Sequence, residues 1–324
     1  MANVLAGDVG GTWTRLGIFE RRAARPALVT TRSYGTRDFA GIESMVAAFL
    51  RDVGAAPSSL SAACFGAAGP VIDDAVVLTN TPVRVDARAI ADGLGLAGVA
   101  LLNDLEALAY AVPVLSSDEL STIQEGRADP SGAVAIIAAG TGLGQAMLQR
   151  VGERFVAKAS EGGRADFAAR TERDITVLRA LTRECGRAAV EHVVSGPGLA
   201  NIHRALHPSG CDAGIDMTSD GAPGAISEAA TAHTCTACVE AMETFIDAYG
   251  AEAGNLALRL VATGGVYVGG GIAPKILGWL QSGSFLTAFR AKTPFAPLLE
   301  SIPVKVILNA NAGLLGAAHF CAVT

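Results

Sequence analysis

The sequence predicts an α/β protein with two domains, and three observations lead to this fold class. The chain has 324 residues, which is enough for two domains of ordinary size. Half of the residues are apolar, 17% are charged and 5% are aromatic, while glycine occurs 38 times. This mix favours strands and helices joined by glycine turns over an all-β sandwich. In addition, an apolar run that ends in glycines occurs at residues 5–12 and again at residues 137–144.

The N-terminal part alternates between strand and helix patterns. Apolar runs bounded by turn residues predict strands, and apolar residues at helical spacing, such as Ile42, Met45 and Phe49, predict helices. Gly54 and Pro113 mark two of the helix ends. The predicted strands are 3–11, 15–20, 27–35, 61–71 and 98–104, and the predicted helices are 41–54, 86–96 and 105–113.

A polar, turn-rich stretch at residues 116–132 predicts the junction between the two domains. After it a second strand-and-turn unit begins, and two long helical regions follow. The chain ends with two units in which a strand, a turn and a helix succeed one another. These five segments are 132–148, 171–186, 225–260, 265–280 and 304–320.

Charge and hydropathy exclude two classes of partner. The formal net charge is −6 and no dense Lys/Arg cluster occurs, so we expect no nucleic-acid partner. Apolar runs such as 133–140 are strand-sized and far short of a membrane span, so we expect no membrane contact. The N-terminus has neither a basic start nor a long apolar region, and we therefore expect a cytoplasmic protein without a signal peptide.

Six cysteines show no pattern of a disulfide framework. Cys235 and Cys238 form a C-x-x-C with His233 nearby, which raises the possibility of a metal or redox site. The simpler interpretation is one face of an alanine-rich helix, because residues three apart lie together on a helix. Since no second ligand pair stands at zinc-finger spacing, we favour the helix face.

Two glycine turns have the composition of phosphate-binding loops. Missing Cβ atoms let backbone N–H groups point at an oxyanion, and threonine hydroxyls add donors. Either turn alone is better explained as a tight hairpin or a strand-to-helix corner, but two in comparable places favour phosphate binding. Asp8 precedes the first turn, where its carboxylate could orient a Mg²⁺ ion through water. The residues concerned are Gly10, Gly11 and Thr12 in the first turn, and Gly140, Thr141, Gly142 and Gly144 in the second.

Other phosphate motifs are absent or misplaced. No G-x-x-x-x-G-K-[ST] occurs, which excludes a P-loop nucleotide hydrolase. Gly93, Gly95 and Gly98 match G-x-G-x-x-G, but they follow a predicted helix and lead into a strand. A dinucleotide-binding fingerprint needs the opposite order, so we interpret this match as chance.

Asn103 and Asp104 stand where a predicted strand passes into a helix, the edge of an α/β sheet at which ligands gather. Asn103 with Glu106 fits a helix capping box, which would be a purely structural role. An aspartate there could equally accept the proton of an attacking hydroxyl during phosphoryl transfer. The motif alone leaves both roles open.

Taken together, the motifs resemble those of bacterial ATP-dependent glucokinases, a family within the superfamily of hexokinases, actin and the heat-shock ATPases. The resemblance extends over nearly the whole chain, and the number and order of the motifs make it specific. The stretches are AGDVGGTWTR, TNTPV, LLNDLEALAYAVP, AAGTGLG, EGGRADFA, VEHVVSGPGLANIHRAL, AGNLAL, GGVYVGGGIAPKIL and NAGLLGAAHF.

This resemblance implies a two-domain ribonuclease-H-like (actin-like ATPase) fold with a deep cleft between the domains. The small domain would comprise residues 1–114 plus 311–324, and the large domain residues 115–310. Sugar would lie deep in the cleft, with ATP and Mg²⁺ across its mouth. The family further suggests a homodimer.

Roles for individual residues also follow from the resemblance. Asp104 would be the catalytic base, and the expected sugar ligands are Asn103, Asp104, Glu161, Arg164 and Glu191. Carboxylates suit a sugar because each oxygen can accept a hydrogen bond from a hydroxyl. The expected nucleotide-binding residues are Gly7, Asp8, Val9, Gly10, Gly11, Thr12, Gly140, Thr141, Gly142, Gly269, Gly270 and Gly271, with Asp8 holding Mg²⁺ through water.

Arg164 departs from the family, which has histidine after E-G-G. An imidazole donates and accepts hydrogen bonds, whereas a guanidinium only donates and is always charged. Arg164 could donate to a ring hydroxyl, turn away to pair with Asp166, or accept an anionic sugar. The reaction expected first is phosphorylation of D-glucose to glucose 6-phosphate. Two alternatives remain: a kinase for another hexose, an amino sugar or a sugar acid, and a sugar-binding regulator without catalysis.

A zinc site is not expected. Related sugar kinases of the wider regulator-kinase family have an E-x-G-H followed by a cysteine-rich zinc loop. No such run of cysteines follows residue 164.

Overall fold

A computed structural model describes residues 3–22, 24–79 and 81–323 of the chain. Asn80 of the TNTPV stretch lies outside the described residues. The chain divides into two compact units. Unit 1 comprises Met1–Glu119, Phe155–Ala159 and Asn309–Thr324, and unit 2 comprises Leu120–Arg154 and Ser160–Leu308.

The strands confirm the predicted α/β class. Each predicted strand is present, and four further strands (β5, β6, β8 and β11) were not predicted. The strands are β1 (Asn3–Val9), β2 (Trp13–Glu20), β3 (Ala27–Gly35), β4 (Leu60–Ala67), β5 (Ala75–Val77), β6 (Arg84–Asp86), β7 (Ala100–Asn103), β8 (Leu120–Gln124), β9 (Val134–Ala139), β10 (Leu143–Val151), β11 (Arg154–Ser160), β12 (Gly265–Gly269) and β13 (Val304–Ile307).

The helices largely match the predicted segments, but the long region predicted at 225–260 is two helices, α6 and α7, separated by residues 232–235, and α5, α9 and α10 are additional. They are α1 (Ile42–Asp52), α2 (Ala87–Leu94), α3 (Asp104–Ala111), α4 (Glu172–Cys185), α5 (Gly196–Leu206), α6 (Ala222–Thr231), α7 (Thr236–Leu260), α8 (Leu277–Gln281), α9 (Ser284–Arg290), α10 (Ala296–Ser301) and α11 (Ala312–Val323). None of the described helices is long and apolar enough to cross a membrane.

The sheet of unit 1 has the strand order β3-β2-β1-β4-β7. Strand β1 is parallel to β4, and β4 is parallel to β7, whereas β2 runs antiparallel to β1. Helices α1 and α2 pack on this sheet through a buried apolar core that includes Phe49, Phe65 and Ile90. The carboxyl ends of β1, β4 and β7 therefore lie along one edge of the sheet, where the turn after β1 and the start of α3 are found.

In unit 2, strands β10, β9, β12, β13 and β8 follow one another in that order across the sheet. Strands β9, β12 and β13 are parallel, and β10 runs antiparallel to β9. The order and directions of β10-β9-β12-β13 repeat those of β2-β1-β4-β7 in unit 1. The loose sequence repeat thus corresponds to a repeated topology, with a glycine turn at the same place in each sheet.

Helices α3 and α11 pack closely in unit 1, with contacts along the second half of α3. A Cβ atom on Gly316 would overlap the carbonyl oxygen of Ala107 and lie 2.7 Å from the Ala111 nitrogen. Next to this contact, the rings of Tyr110 and Phe320 meet edge to face with centroids 4.9 Å apart. The segment Phe155–Ala159, which the sequence limits assign to the large domain, also packs here: the Ala157 nitrogen donates to Tyr110 Oη at 3.2 Å.

We expect Gly316→Ala to destabilise the protein by about 1–3 kcal/mol or more, because the added methyl meets rigid backbone. The matched control is Gly278→Ala in α8, where an added Cβ meets nothing within 4 Å. That control should leave the free energy of unfolding unchanged or raise it by about 1 kcal/mol at most. Urea unfolding of both variants measures the difference, and equal stabilities would contradict the close α3–α11 contact.

Candidate active site

Asn103 and Asp104 occupy the predicted position between β7 and α3. Asn103 caps the helix: its Oδ1 accepts from the Leu105 nitrogen at 2.8 Å, and its Nδ2 donates to the Gly69 carbonyl at 3.0 Å. Glu106 completes the capping box, since its carboxylate accepts from the Asn103 nitrogen at 3.2 Å. Asp104 is the first residue of α3, and its Oδ1 accepts from the Leu105 nitrogen at 3.0 Å. The structural role foreseen for Asn103 is therefore confirmed, and it holds Asp104 in place.

The first glycine turn links β1 to β2 in a tight hairpin. The Gly10 nitrogen donates to the Trp13 carbonyl at 3.1 Å, and the Gly10 carbonyl accepts from Thr36 Oγ1 at 2.8 Å. Within the described residues, the Gly11 and Thr12 amides donate no hydrogen bond. Those two amides are the ones in this turn that can serve an anion.

Gly7 and Val9 lie inside β1 rather than in the turn. A Cβ on Gly7 would overlap the ring of Phe65, so packing alone requires a glycine there. The Val9 side chain is fully buried in the core of unit 1. Any contact of these two residues with a ligand would have to come from their backbone.

Asp8 lies on β1 opposite Arg15 of β2. Burial raises the pKa of the Asp8 carboxyl, and the positive charge of Arg15 opposes this shift. Arg15 is itself held by Asn311, whose Oδ1 accepts from Nη1 at 3.0 Å. A Cβ on Gly313, in the first turn of α11, would lie 3.6 Å from the Asp8 carboxylate. The carboxylate thus stands in a poorly solvated place beside a helix N-terminus.

In unit 2 the turn at residues 140–142 follows β9, and the glycines 269–271 begin at the last residue of the neighbouring parallel strand β12. Gly269 pairs with Ala138 in the sheet, and Gly270 has φ +84°, with its Cα close to the Ala139 carbonyl: a Cβ there would lie 2.5 Å from that oxygen. By contrast, Cβ atoms on Gly140 and Gly271 would meet nothing within 4 Å. The structure therefore brings these two predicted nucleotide-binding segments together, with open space beside both.

The turn after β11 contains Glu161 and Arg164. A 3₁₀ helix spans Gly162–Arg164 and begins with the Arg164 nitrogen donating to the Glu161 carbonyl at 2.9 Å. A Cβ on Gly162 would overlap the Gln145 side chain, and one on Gly163 would overlap the Leu143 carbonyl. The paired glycines therefore serve the close approach of this turn to β10. Within the described part of the chain, the exposed Glu161 carboxylate has no hydrogen-bond or ionic partner.

Residues 165–167 pair with residues 188–190, and this brings Glu191 close to the turn. The Phe167 nitrogen donates to the Ala188 carbonyl, and the Val190 nitrogen to the Ala165 carbonyl, both at 2.9 Å. Glu191 follows in a short 3₁₀ helix, Val190–His192. A Cβ on Gly142 would lie only 3.0 Å from the Glu191 carboxylate. A predicted sugar ligand and a predicted phosphate turn are thus neighbours in unit 2.

Arg164 makes an ion pair with Glu191. Its Nη1 lies 2.9 Å from Glu191 Oε1, and the two side chains are 54% and 15% exposed. Arg164 does not pair with Asp166, which was one of the three possibilities. Asp166 instead pairs with Arg187, whose Nε lies 3.4 Å from Asp166 Oδ1. Arg187 also donates to the Arg164 carbonyl. Arg164 pairs with Glu191 rather than with Asp166 because the pairing of residues 165–167 with residues 188–190 brings Glu191 close to Arg164.

A buried polar network lies beneath the turn and was not predicted from the sequence. Gln145 on β10 is 1% exposed and donates from Nε2 to Glu252 on α7 at 2.9 Å. Glu252 also accepts from Arg259 and from Asn255, each at 2.9 Å. Because Gly162 packs on the Gln145 side chain, this network supports the turn. No local pattern marks these residues, since they are contributed by a strand and a helix distant in sequence.

Ser195, from the stretch SGPG, connects Glu191 to α5. Its Oγ donates to the Glu191 carbonyl at 2.6 Å and accepts from the Gly198 nitrogen at 3.0 Å as the cap of the helix. The Gly196 nitrogen donates to the Gly140 carbonyl at 2.8 Å. SGPG therefore ties the second glycine turn to Glu191.

Comparison with known proteins identifies the family. A family profile described as Glucokinase matches residues 5–324. The glucokinase of Synechocystis is 40% identical over 344 aligned residues, covering 98% of this chain and 97% of the relative. The chain belongs to the glucokinase family. The glucokinase of Yersinia pestis, at 35% identity, covers 98% of this chain and is itself covered to 95%.

Solved structures support the fold of this glucokinase family member. The glucokinase from an Antarctic psychrotroph superimposes with a TM-score of 0.85 at 30% identity, covering 99% of this chain and 98% of the other. A ROK family glucokinase from Streptomyces griseus, at 22% identity, shares the fold with a TM-score of 0.66 and covers 98% and 99% of the two chains. The family resemblance and the ribonuclease-H-like (actin-like ATPase) fold are confirmed.

Gly140 allows a test of phosphate binding, because a Cβ atom added there would meet no protein atom within 4 Å and could hinder only a bound ligand. We expect Gly140→Ala to leave the free energy of unfolding unchanged and to raise KM for ATP about tenfold, equivalent to about 1.4 kcal/mol. The control is Gly98→Ala, also in open space but remote from both glycine turns in the sequence. Steady-state kinetics with varied ATP decides, and an unchanged KM would remove Gly140 from the nucleotide site.

Proposed function

We propose that this member of the glucokinase family transfers the γ-phosphoryl group of ATP to the 6-hydroxyl of D-glucose, with Asp104 as general base. The observation that carries the proposal is Asp104 at the first position of α3, beyond the carboxyl end of β7. This is the edge at which α/β sheets bind ligands, and membership of a kinase family is consistent with a base at this edge. Asp104 would accept the hydroxyl proton as the bond to phosphorus forms.

The sugar would be bound mainly by oxygen acceptors. We propose that Glu161 and Glu191 accept hydrogen bonds from glucose hydroxyls, and that Asp104 contacts the reacting hydroxyl. The Asn103 amide has one remaining N–H, since Nδ2 already donates to Gly69 and Oδ1 already accepts from Leu105. That N–H could donate to a sugar oxygen. Carboxylate acceptors and the amide donor of Asn103 together suit a neutral sugar, whose hydroxyls both donate and accept hydrogen bonds.

ATP would be bound through glycine amides. The unengaged amides of Gly11 and Thr12 and the open turn at Gly140 support phosphate contacts, and Gly271 supports a nucleotide contact. Asp8 fits a role towards Mg²⁺, because its carboxylate is a hard oxygen donor in a poorly solvated place that a cation would favour. When bound with ATP, Mg²⁺ would neutralise charge on the transferred group.

We assign Arg164 to the positioning of Glu191 for glucose. An anionic sugar needs an uncompensated positive charge, but the Arg164 guanidinium already faces the Glu191 carboxylate at 2.9 Å. This argues against a sugar acid as substrate. The family pattern further suggests a cytoplasmic homodimer, which we retain as a prediction.

Asp104→Asn tests the base directly. The amide can still accept from the Leu105 nitrogen but cannot take a proton, so kcat should fall about a hundredfold or more at unchanged stability. Asp92→Asn, an exposed carboxylate on α2 of the same unit, is the control and should keep full activity. A coupled assay for glucose 6-phosphate measures both. Retention of most of kcat would be incompatible with Asp104 as base.

Arg164→Gln should raise KM for glucose several-fold, with a smaller change in kcat, because Glu191 loses the group that orients it. Arg187→Gln is the matched control: Arg187 follows α4 and contacts the same turn through the Arg164 carbonyl, but it makes no ion pair with Glu191. A panel of hexoses, amino sugars and sugar acids extends the test. If glucose kinetics were unchanged while turnover of a sugar acid was lost, the result would show that Arg164 binds an anionic substrate and does not position Glu191.

A further inference from the structure

A cluster of sulfur and imidazole ligands lies in unit 2, among residues that the proposed reaction does not use. One ring nitrogen of His203 and the sulfurs of Cys211 and Cys238 lie within 4.8 Å of one another. His203 belongs to α5, Cys238 to α7, and Cys211 to the connection between α5 and α6. Three separate segments of the chain thus contribute a metal-ligating side chain to one point.

His203 is the most telling member of this cluster. Its side chain is almost fully buried, with the residue 1% exposed, and neither ring nitrogen has a hydrogen-bond partner within the described residues. A buried imidazole without partners is unfavourable, since both nitrogens lose water and gain nothing. A metal ion bound by the nitrogen that faces the two sulfurs would satisfy that nitrogen.

The sulfur geometry fits metal binding better than a disulfide. Cys211 Sγ and Cys238 Sγ are 3.9 Å apart, far beyond a disulfide bond of about 2.05 Å. Two thiolates on one tetrahedral zinc, each at about 2.3 Å, would be separated by about 3.8 Å. Cys235 lies just before α7 and three residues before Cys238, a C-x-x-C spacing that zinc sites use, so its thiol is the candidate for the fourth ligand.

We propose that His203, Cys211, Cys235 and Cys238 bind a structural Zn²⁺ ion. Three thiolates and one imidazole form a soft donor set that prefers zinc to hard cations such as Mg²⁺. On binding, each ligating thiol loses its proton to solvent, so three thiolates and one dication leave a net charge of −1 at the site. The ion would fasten the 207–221 connection, which is mostly irregular, to α5 and α7.

This site differs from the cysteine-rich zinc loop of related sugar kinases, which follows their E-x-G-H motif. We expected no zinc because no run of cysteines follows residue 164. In addition, Cys235 and Cys238 with His233 have no second ligand pair at zinc-finger spacing. His233 instead lies against Trp279, with ring centroids 6.1 Å apart. The histidine that completes the cluster comes from α5, and a surface cavity of about 420 Å³ beside His203 and His207 offers a path for the ion.

Metal analysis of the whole protein, purified without a polyhistidine tag under reducing conditions, tests the proposal. Elemental analysis should find one zinc per chain. After removal of zinc, titration with Co²⁺ should give the visible bands of tetrahedral cobalt and the near-ultraviolet thiolate-to-cobalt charge-transfer band. Cys211→Ser, Cys238→Ser and His203→Asn should each weaken Co²⁺ binding about tenfold or more. The control Cys185→Ser, an exposed thiol at the end of α4, should bind as wild type.

Each outcome bears on the site itself, independently of kinase activity. Absence of zinc together with no charge-transfer band in the reduced wild-type protein would overturn the proposal, even if every variant failed to fold. So would a disulfide among Cys211, Cys235 and Cys238 in protein purified without reductant that persists in the presence of excess zinc. A cobalt spectrum unchanged in Cys211→Ser would move the metal to another place and contradict the assignment.

Discussion

The contact between the 162–164 turn and strand β10 is the constraint on which the rest of the unit 2 site depends. Side chains at positions 162 and 163 would overlap Gln145 and the Leu143 carbonyl, so only glycines allow this approach. The turn then continues into the pairing with residues 188–190, which brings Arg164 and Glu191 together. Glu191 in turn lies against Gly142, at the end of the loop that would hold phosphate. One steric requirement thus positions both a proposed sugar ligand and a proposed phosphate turn.

Electrostatics explain why an arginine is acceptable in this place. Glu191 is largely buried beside a glycine turn proposed to bind an anion, and two negative groups so close would repel each other. The Arg164 guanidinium offsets the charge of Glu191 through a contact with Oε1. A histidine could do so only when protonated, whereas arginine is always charged. The substitution therefore alters how the Glu191 carboxylate is held and leaves this proposed sugar acceptor in place.

Local patterns predicted the glycine-terminated strands, the capped start of α3 and most helices, because these signals lie within short windows of sequence. Strand β8 was hidden in the polar stretch 116–132, and β11 exposes most of its residues, so neither has a strong apolar alternation. The partner of Arg164 could not be predicted, since it depends on the pairing of 165–167 with 188–190. For the same reason the Gln145–Glu252 network had no signal in the sequence.

The cluster of His203, Cys211 and Cys238 also could not be predicted from local sequence, because its members come from separate segments of the chain. Sequence spacing points to His233, which is close to Cys235 in the chain. In the structure it is His203 that lies next to the sulfurs, because α5 packs against α7. That packing alone does not explain a buried histidine without hydrogen bonds, for which an apolar residue would be more stable. A ligand to a metal does explain it, and it also gives the irregular 207–221 connection a fixed attachment. The cost of burying the imidazole then becomes part of the binding free energy that orders this segment.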